Sequence, residues 1–153
     1  MRAASLSACL LLWAVALHGQ AKSTGTAAKL AWGPAPAAFP KGAKMAVVSG
    51  DPGKADLFTI ELSLPDGYRL PPHFHPTDEA VEVKKGTFLV GMGDTLDLSK
   101  TNAMKVGATG KVPANSHHYA AARGATVVSV TAMGPFAMTY VNPTDDPQQV
   151  AHQ

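Results

Sequence analysis

Two histidines and a glutamate lie close together in the segment "PPHFHPTDEAVEV", residues 71–83. His73 and His75 are two residues apart, so in a β-strand their side chains point to the same face. Glu79 follows His75 by four residues and returns to that face if the bend at 76–78 preserves the facing. Two imidazoles and one carboxylate leave coordination positions open on a divalent metal ion. The spacing therefore predicts three metal ligands, with ordinary surface polar residues as the alternative interpretation.

A further ligand is predicted in the segment "PANSHHY", residues 113–119. Its two histidines, His117 and His118, are adjacent, so only one of them can face the same side of a strand as the first group. The turn before them contains Asn115, which tolerates the left-handed backbone that a tight corner often requires. Four of the six histidines lie in these two segments, and this concentration favours a metal site over two unrelated polar faces.

Short β-strands are predicted to position these residues. Residues 58–64 alternate apolar and polar side chains, as expected for a half-buried strand. The 14 Gly and 12 Pro in 153 residues favour a turn-rich fold. Residues 79–94 are predicted as a hairpin with its bend at Lys85-Gly86, and residues 95–106 as a loop that could carry a short helical turn.

Three further turns are predicted at residues 113–116, at Arg123-Gly124 and at Gly134-Pro135. The pattern amounts to about eight short strands without a convincing long helix, which is typical of an all-β sandwich or jelly roll. The chain length suggests one domain. A net charge of +2 without a basic run argues against a nucleic-acid partner.

The N-terminus has the pattern of a secretory signal peptide. Arg2 precedes the apolar run "ACLLLWAVAL" at residues 8–17, and cleavage after Ala21 fits the preference for small residues. Residues 1–21 are therefore predicted to be removed, which indicates an exported protein, periplasmic or secreted, without a stable membrane anchor; an uncleaved anchor is the alternative. The only cysteine, Cys9, lies in this segment, so the mature chain is expected to have no disulfide or catalytic thiol.

Three segments are predicted in the mature chain. Residues 22–42, rich in Ala, Gly and Pro, form an extended N-terminal arm in which Trp32 and Phe39 indicate packing against the domain. Residues 43–142 form the domain, and residues 143–153 form a loose polar tail.

The two histidine segments resemble the two motifs of the cupins, a superfamily of small jelly-roll barrels that often hold one metal ion. The first motif begins at Gly67 and ends at Gly86, with HxH and Glu at the expected spacings. The second begins at Gly107 and includes Pro113 and His118. It departs from the usual pattern in two places, because Asn115 and Ala122 replace a glycine and an asparagine.

This resemblance implies a cupin-type jelly-roll barrel in which the metal ligands are His73, His75, Glu79 and His118. It selects His118 over His117, which then faces away from the metal together with Tyr119. It implies one divalent transition metal ion, Fe, Mn, Ni, Cu, Co or Zn. Many cupins also form homodimers through sheet edges.

More specifically, the chain resembles small exported single-domain bacterial cupins, a group with no uniform activity. The function expected from the resemblance is a metal-dependent enzyme acting on a small organic molecule, either dioxygenase-like or a lyase, decarboxylase or isomerase. Glu79 is the candidate general base. Three tyrosines are weaker acid/base candidates, each more typical of a structural role: Tyr68, Tyr119 and Tyr140. The alternative is a metal-containing protein that binds or senses a small ligand without turnover.

Overall fold

The computed structural model describes residues 29–150. The predicted signal peptide, the first part of the predicted arm and residues 151–153 lie outside the described residues. Within 29–150, none of the helices is long and apolar enough to cross a membrane.

Nine strands make up most of the described chain, and the all-β prediction is confirmed. The strands are β1 (Gly33–Pro34), β2 (Lys44–Ser49), β3 (Leu57–Leu64), β4 (Arg69–Phe74), β5 (Glu79–Met92), β6 (Asn102–Lys105), β7 (Thr109–Val112), β8 (His118–Met133) and β9 (Thr139–Tyr140). The helical elements are two 3₁₀ turns and one short helix: Leu98–Lys100, Pro143–Asp145 and α1 (Pro147–Val150).

All strand pairs are antiparallel, and the two longest strands organise the sheet. β8 pairs with β5 along most of its length, with β3 through its C-terminal half and with β4 through its N-terminal end. β5 also pairs with β7 at its start and with β6 further along. Strands β2 and β1 extend the sheet beyond β3, and β9 extends it beyond β4. The result is a curled antiparallel sheet that encloses its own core.

The core follows from the alternation in the sequence. In β3 the apolar residues Phe58, Ile60, Leu62 and Leu64 are buried, whereas the polar residues between them are only partly covered. Facing residues of β5 and β8 complete the interior: Val81, Val83, Val128 and Val130. Every second residue is buried in three strands of the same sheet, so one face of the sheet is apolar. The sheet must fold over this face to cover it.

The predicted hairpin at Lys85-Gly86 is wrong, because β5 continues through it as one strand. Gly86 has a φ of 75°, and the pairing with β8 shifts register on either side of Lys85. A positive φ at glycine occurs in β-bulges as well as in turns. The predicted turn at Arg123-Gly124 likewise lies within β8, where Gly124 has a φ of 73°.

The segment before β2 lies against the barrel through Phe39, which is buried in the core. Tyr68 Oη donates to the Pro40 carbonyl at 2.9 Å, and Tyr140 Oη donates to the Ala38 carbonyl at 2.6 Å. Trp32, by contrast, is exposed. Two tyrosine hydroxyls thus hold this segment where Phe39 enters the core.

Candidate metal centre

The four predicted ligands lie at the ends of three strands. His73 is the next-to-last residue of β4, and His75 follows the end of that strand. Glu79 is the first residue of β5, and His118 is the first residue of β8. His73 and His118 are direct partners in the β4–β8 ladder, so strand pairing itself places two of the imidazoles side by side.

The curl of the sheet brings Glu79 to the histidines. Glu79 pairs with Ala132 near one end of β8, whereas His118 is at the other end. A straight strand would separate Ala132 and His118 by about 45 Å, at ~3.3 Å per residue. Glu79 Oε2 instead lies 3.5 Å from His118 Nε2 and 3.9 Å from His75 Nε2. The site therefore depends on the closure of the whole sheet.

The three histidines form one buried cluster that could hold a metal ion. One ring nitrogen from each of His73, His75 and His118 lies within 4.8 Å of the others. All three side chains are buried. Glu79 stands beside the cluster, with its carboxylate next to His75 and His118. The structure thus brings together all four residues that the sequence singled out.

Each imidazole is oriented by one backbone carbonyl. Nδ1 of His73 lies 2.7 Å from the Pro71 oxygen, Nδ1 of His75 lies 2.7 Å from the Ala137 oxygen, and Nδ1 of His118 lies 3.0 Å from the Ser116 oxygen. A carbonyl oxygen can only accept, so Nδ1 carries the proton in each ring. Each Nε2 is then left with its lone pair, which is the arrangement that metal-binding histidines adopt.

The loops that carry the ligands are joined to each other. Asn115 adopts the left-handed conformation expected of it, with a φ of 59°, and its amide donates to the His75 carbonyl at 2.8 Å. Asp78 accepts from the Ala114 amide at 2.9 Å and lies 2.6 Å from Lys111 Nζ. Asp78 is therefore more than a turn residue, because it connects the loop after His75 to the turn before His118.

The neighbouring side chains face away from the cluster. His117 Nδ1 lies 2.6 Å from Asp94 Oδ1, and its ring stacks on Phe74. Tyr119 is buried on the far side, where its hydroxyl donates to the Asp97 carbonyl at 3.0 Å. Alternation along β8 thus separates His118 from both neighbours.

A cavity of about 40 Å³ opens beside the cluster in the barrel interior. Its walls include the four site residues, and Ala120 lies on the ligand face of β8, as alternation predicts. Phe39, Phe136 and Met138 also line it, and the sequence did not assign any of these to the site. Phe136 directly follows the predicted turn at Gly134-Pro135, and an aromatic residue at this position indicates a loop that packs against the domain. Its position beside the histidines depends on tertiary structure and could not be predicted from the sequence.

The electrostatics of the cluster favour a neutral His73 and an ionised Glu79. Burial lowers the pKa of His73 to about 3, and repulsion from His118 adds to this effect. Burial by itself raises the pKa of Glu79, but interaction with His118 and with the other two histidines outweighs this effect, so the pKa lies below its ordinary value. Lone-pair nitrogens next to an anionic oxygen suit a divalent cation.

Solved structures with this architecture include cupins. The polyketide cyclase RemF from Streptomyces resistomycificus superimposes with a TM-score of 0.58 at 19% identity, covering 74% of this chain and 80% of the other. The DMSP lyase DddQ from Ruegeria pomeroyi gives 0.54 at 18% identity, covering 65% and 51%. An RmlC-like cupin from Shewanella frigidimarina gives 0.51 at 18% identity, covering 60% and 76%.

No protein-family model matches the sequence, and no curated protein matches it. The structural comparisons show that this chain has the cupin fold, as the two sequence motifs predicted. Their low sequence identities concern the fold alone, because one fold supports many unrelated activities.

Proposed function

We propose that the protein binds one divalent transition metal ion through His73, His75, Glu79 and His118 and is a metal-dependent enzyme acting on a small organic molecule. One observation carries this proposal. Three buried imidazoles hold their Nδ1 protons on backbone carbonyls and keep their Nε2 lone pairs free beside a carboxylate. An empty cluster of this kind would be a costly polar surface inside a barrel.

Four protein ligands leave positions on such an ion free for a substrate, and the cavity provides the space beside them. When bound, the ion would supply Lewis acidity or one-electron redox chemistry at those positions. A dioxygenase-like reaction and a lyase, decarboxylase or isomerase reaction are both compatible with this site. Neighbours with this fold include a polyketide cyclase, a DMSP lyase and an oxalate oxidase, which supports enzymatic use of the fold without selecting a reaction.

Glu79 is the proposed general base. The carboxylate is ionised at neutral pH, since its pKa lies below its ordinary value. It also lines the cavity, within reach of a molecule held beside the histidines. The same carboxylate would act as a ligand before it accepts a proton, so its position beside His75 and His118 serves both roles.

The alternative is a metal-containing binding or sensing protein, and the tyrosines favour it. The hydroxyls of Tyr68, Tyr119 and Tyr140 all donate to backbone carbonyls. They are therefore structural, and Glu79 is left as the one carboxylate in the described cavity wall. The N-terminal sequence supports the further proposal that the protein works outside the cytoplasm.

Turnover by metal-loaded protein tests the enzymatic proposal. Metal-stripped protein would be loaded separately with Fe²⁺, Mn²⁺, Ni²⁺, Cu²⁺, Co²⁺ or Zn²⁺ and incubated with a panel of small carbonyl compounds, while O2 uptake and product formation are measured. We expect turnover with at least one metal. A Glu79→Gln variant should lose about 100-fold or more in rate, as expected for loss of a general base. Metal content of the variant is measured in parallel. Bound metal and tight ligand binding without turnover in any sample would instead establish the binding protein.

A further inference from the structure

The cavity beside the histidines is almost entirely apolar. Apart from the four site residues, the one polar side chain in its described wall is Tyr68. The remaining wall residues are all apolar, and they include Phe39, Leu62, Val128, Phe136 and Met138. No lysine or arginine is among them.

The one polar wall residue is already engaged. The Tyr68 hydroxyl donates its hydrogen to the Pro40 carbonyl at 2.9 Å, so that hydrogen is not free for a ligand. Burial raises the pKa of Tyr68, which keeps the group neutral. Apart from the metal-binding residues, the described cavity wall therefore offers a ligand no free hydrogen-bond donor and no cationic side chain.

The net charge of the metal site restricts the charge of the molecules that the cavity can bind. A divalent ion with Glu79 and three neutral imidazoles leaves one positive charge, which one anionic or strongly dipolar head group would balance. A second charged group on the ligand would have to lose its hydration against Leu and Val side chains, and burial of an unpaired charge is strongly unfavourable.

We propose that the site takes a compact apolar molecule with a single metal-binding group, and that Phe136 determines the size of its apolar part. This inference rests on the metal site proposed above. It concerns what the cavity selects and does not depend on which reaction, if any, follows.

Phe136 forms the part of the cavity wall next to His75. Its ring lies 5.5 Å from the ring of His75, stacks on Phe39 at 5.9 Å and meets Phe58 edge-on at 6.1 Å. It lines both the main cavity and a narrow cleft of about 10 Å³ that reaches His75 and Glu79 past Thr77 and Met133. The ring thus borders two spaces that share His75 and Glu79.

The loop that carries Phe136 is fixed at three points. The Phe136 amide donates to the Pro52 carbonyl at 2.7 Å, and the Gly134 amide donates to the Asp56 carbonyl at 2.9 Å. The Ala137 carbonyl accepts from His75 Nδ1 at 2.7 Å. These bonds hold the ring in place, so Phe136 limits the size of the ligand that the cavity can take. Larger ligands require the ring to move.

A pair of hydroxamates tests the selection against charge. Isovalerohydroxamate and malonomonohydroxamate carry the same metal-binding head and differ mainly in an isopropyl group against a carboxylate of similar shape. With Co²⁺-loaded protein, visible absorption reports ligand binding, and we expect the apolar compound to bind at least tenfold more tightly. Equal affinities, or tighter binding of the charged compound, would overturn the inference.

Phe136→Ala tests the size limit, with Trp32→Ala as a matched control because Trp32 is an exposed aromatic outside the cavity wall. In Phe136→Ala we expect the affinity for benzohydroxamate relative to acetohydroxamate to rise about tenfold, and in Trp32→Ala we expect no change. Acetohydroxamate affinity shows whether each variant keeps its site. An unchanged ratio in Phe136→Ala would overturn the role of Phe136.

Metal content separates this inference from the proposed function. Protein that takes up no metal overturns both, because the ligand selection needs the ion. Protein that takes up Co²⁺ but prefers the charged hydroxamate, or ignores the loss of Phe136, overturns the inference alone and leaves the metal site in place.

Discussion

At the residue scale, the cluster is defined by how its protons are distributed. Each imidazole donates Nδ1–H to one carbonyl, and these carbonyls belong to Pro71, Ala137 and Ser116. Two of the carbonyls lie two residues before their own histidine, whereas Ala137 is far away in sequence. The sequence motif thus includes the orientation of His73 and His118, but the orientation of His75 depends on a loop that the motif does not contain.

Burial of neutral histidine makes stability depend on pH. The pKa of His73 falls from 6.5 to about 3 in the fold, so below about pH 6.5 the unfolded chain binds more protons than the folded one. The contribution of His73 to the free energy of unfolding is therefore fully present above pH 6.5 and decreases as the pH falls toward 3. We expect the urea midpoint of metal-free protein to drop between pH 7.5 and pH 5, before most carboxylates titrate. A midpoint constant over this range would contradict the buried neutral imidazole.

At the element scale, two bent strands give the barrel its closure. β5 and β8 pair along most of their lengths, and both pass through a glycine with positive φ, Gly86 and Gly124. Bulges bend a strand and increase its twist. A glycine after a charged residue looks the same in a hairpin turn and in a bulge, so the sequence could not distinguish them. Only the pairing with the partner strand, which continues on both sides of the glycine, distinguishes a bulge from a turn.

Gly86→Ala tests this bend, with Gly107→Ala as the control. An added Cβ at Gly86 would lie 2.6 Å from the Ala125 oxygen and 2.9 Å from the Thr126 Cα, whereas at Gly107, also at positive φ, it meets nothing within 4 Å. We expect Gly107→Ala to lower the free energy of unfolding by about 1 kcal/mol through backbone strain alone. Gly86→Ala should lower it by about 2–4 kcal/mol because backbone atoms must also shift. Equal decreases in the free energy of unfolding, measured by urea denaturation, would show that an added Cβ at Gly86 causes no steric clash.

At the scale of the whole molecule, the site exists because the sheet closes. The sequence predicted directly that the ligands within "HFHPTDE" share one face, since side chains alternate between the two faces of a strand. The cupin resemblance selected His118, and the strand pairing of His73 with His118 explains why the two motifs meet. The apolar wall was not predictable in the same way, because Phe39 and Phe136 reach the cavity from a segment and a loop outside both motifs.

The most direct test of the account is the metal content of protein purified without added metal, measured by elemental analysis. The parent should contain about one transition metal ion per chain. His75→Ala and His118→Ala should each lose most of it, since truncation removes one of three buried nitrogens. His117→Ala is the matched control, because its side chain faces Asp94 and Phe74, and it should keep the parent's content. Equal metal content in all four proteins, or no metal in the parent, would contradict the proposed site.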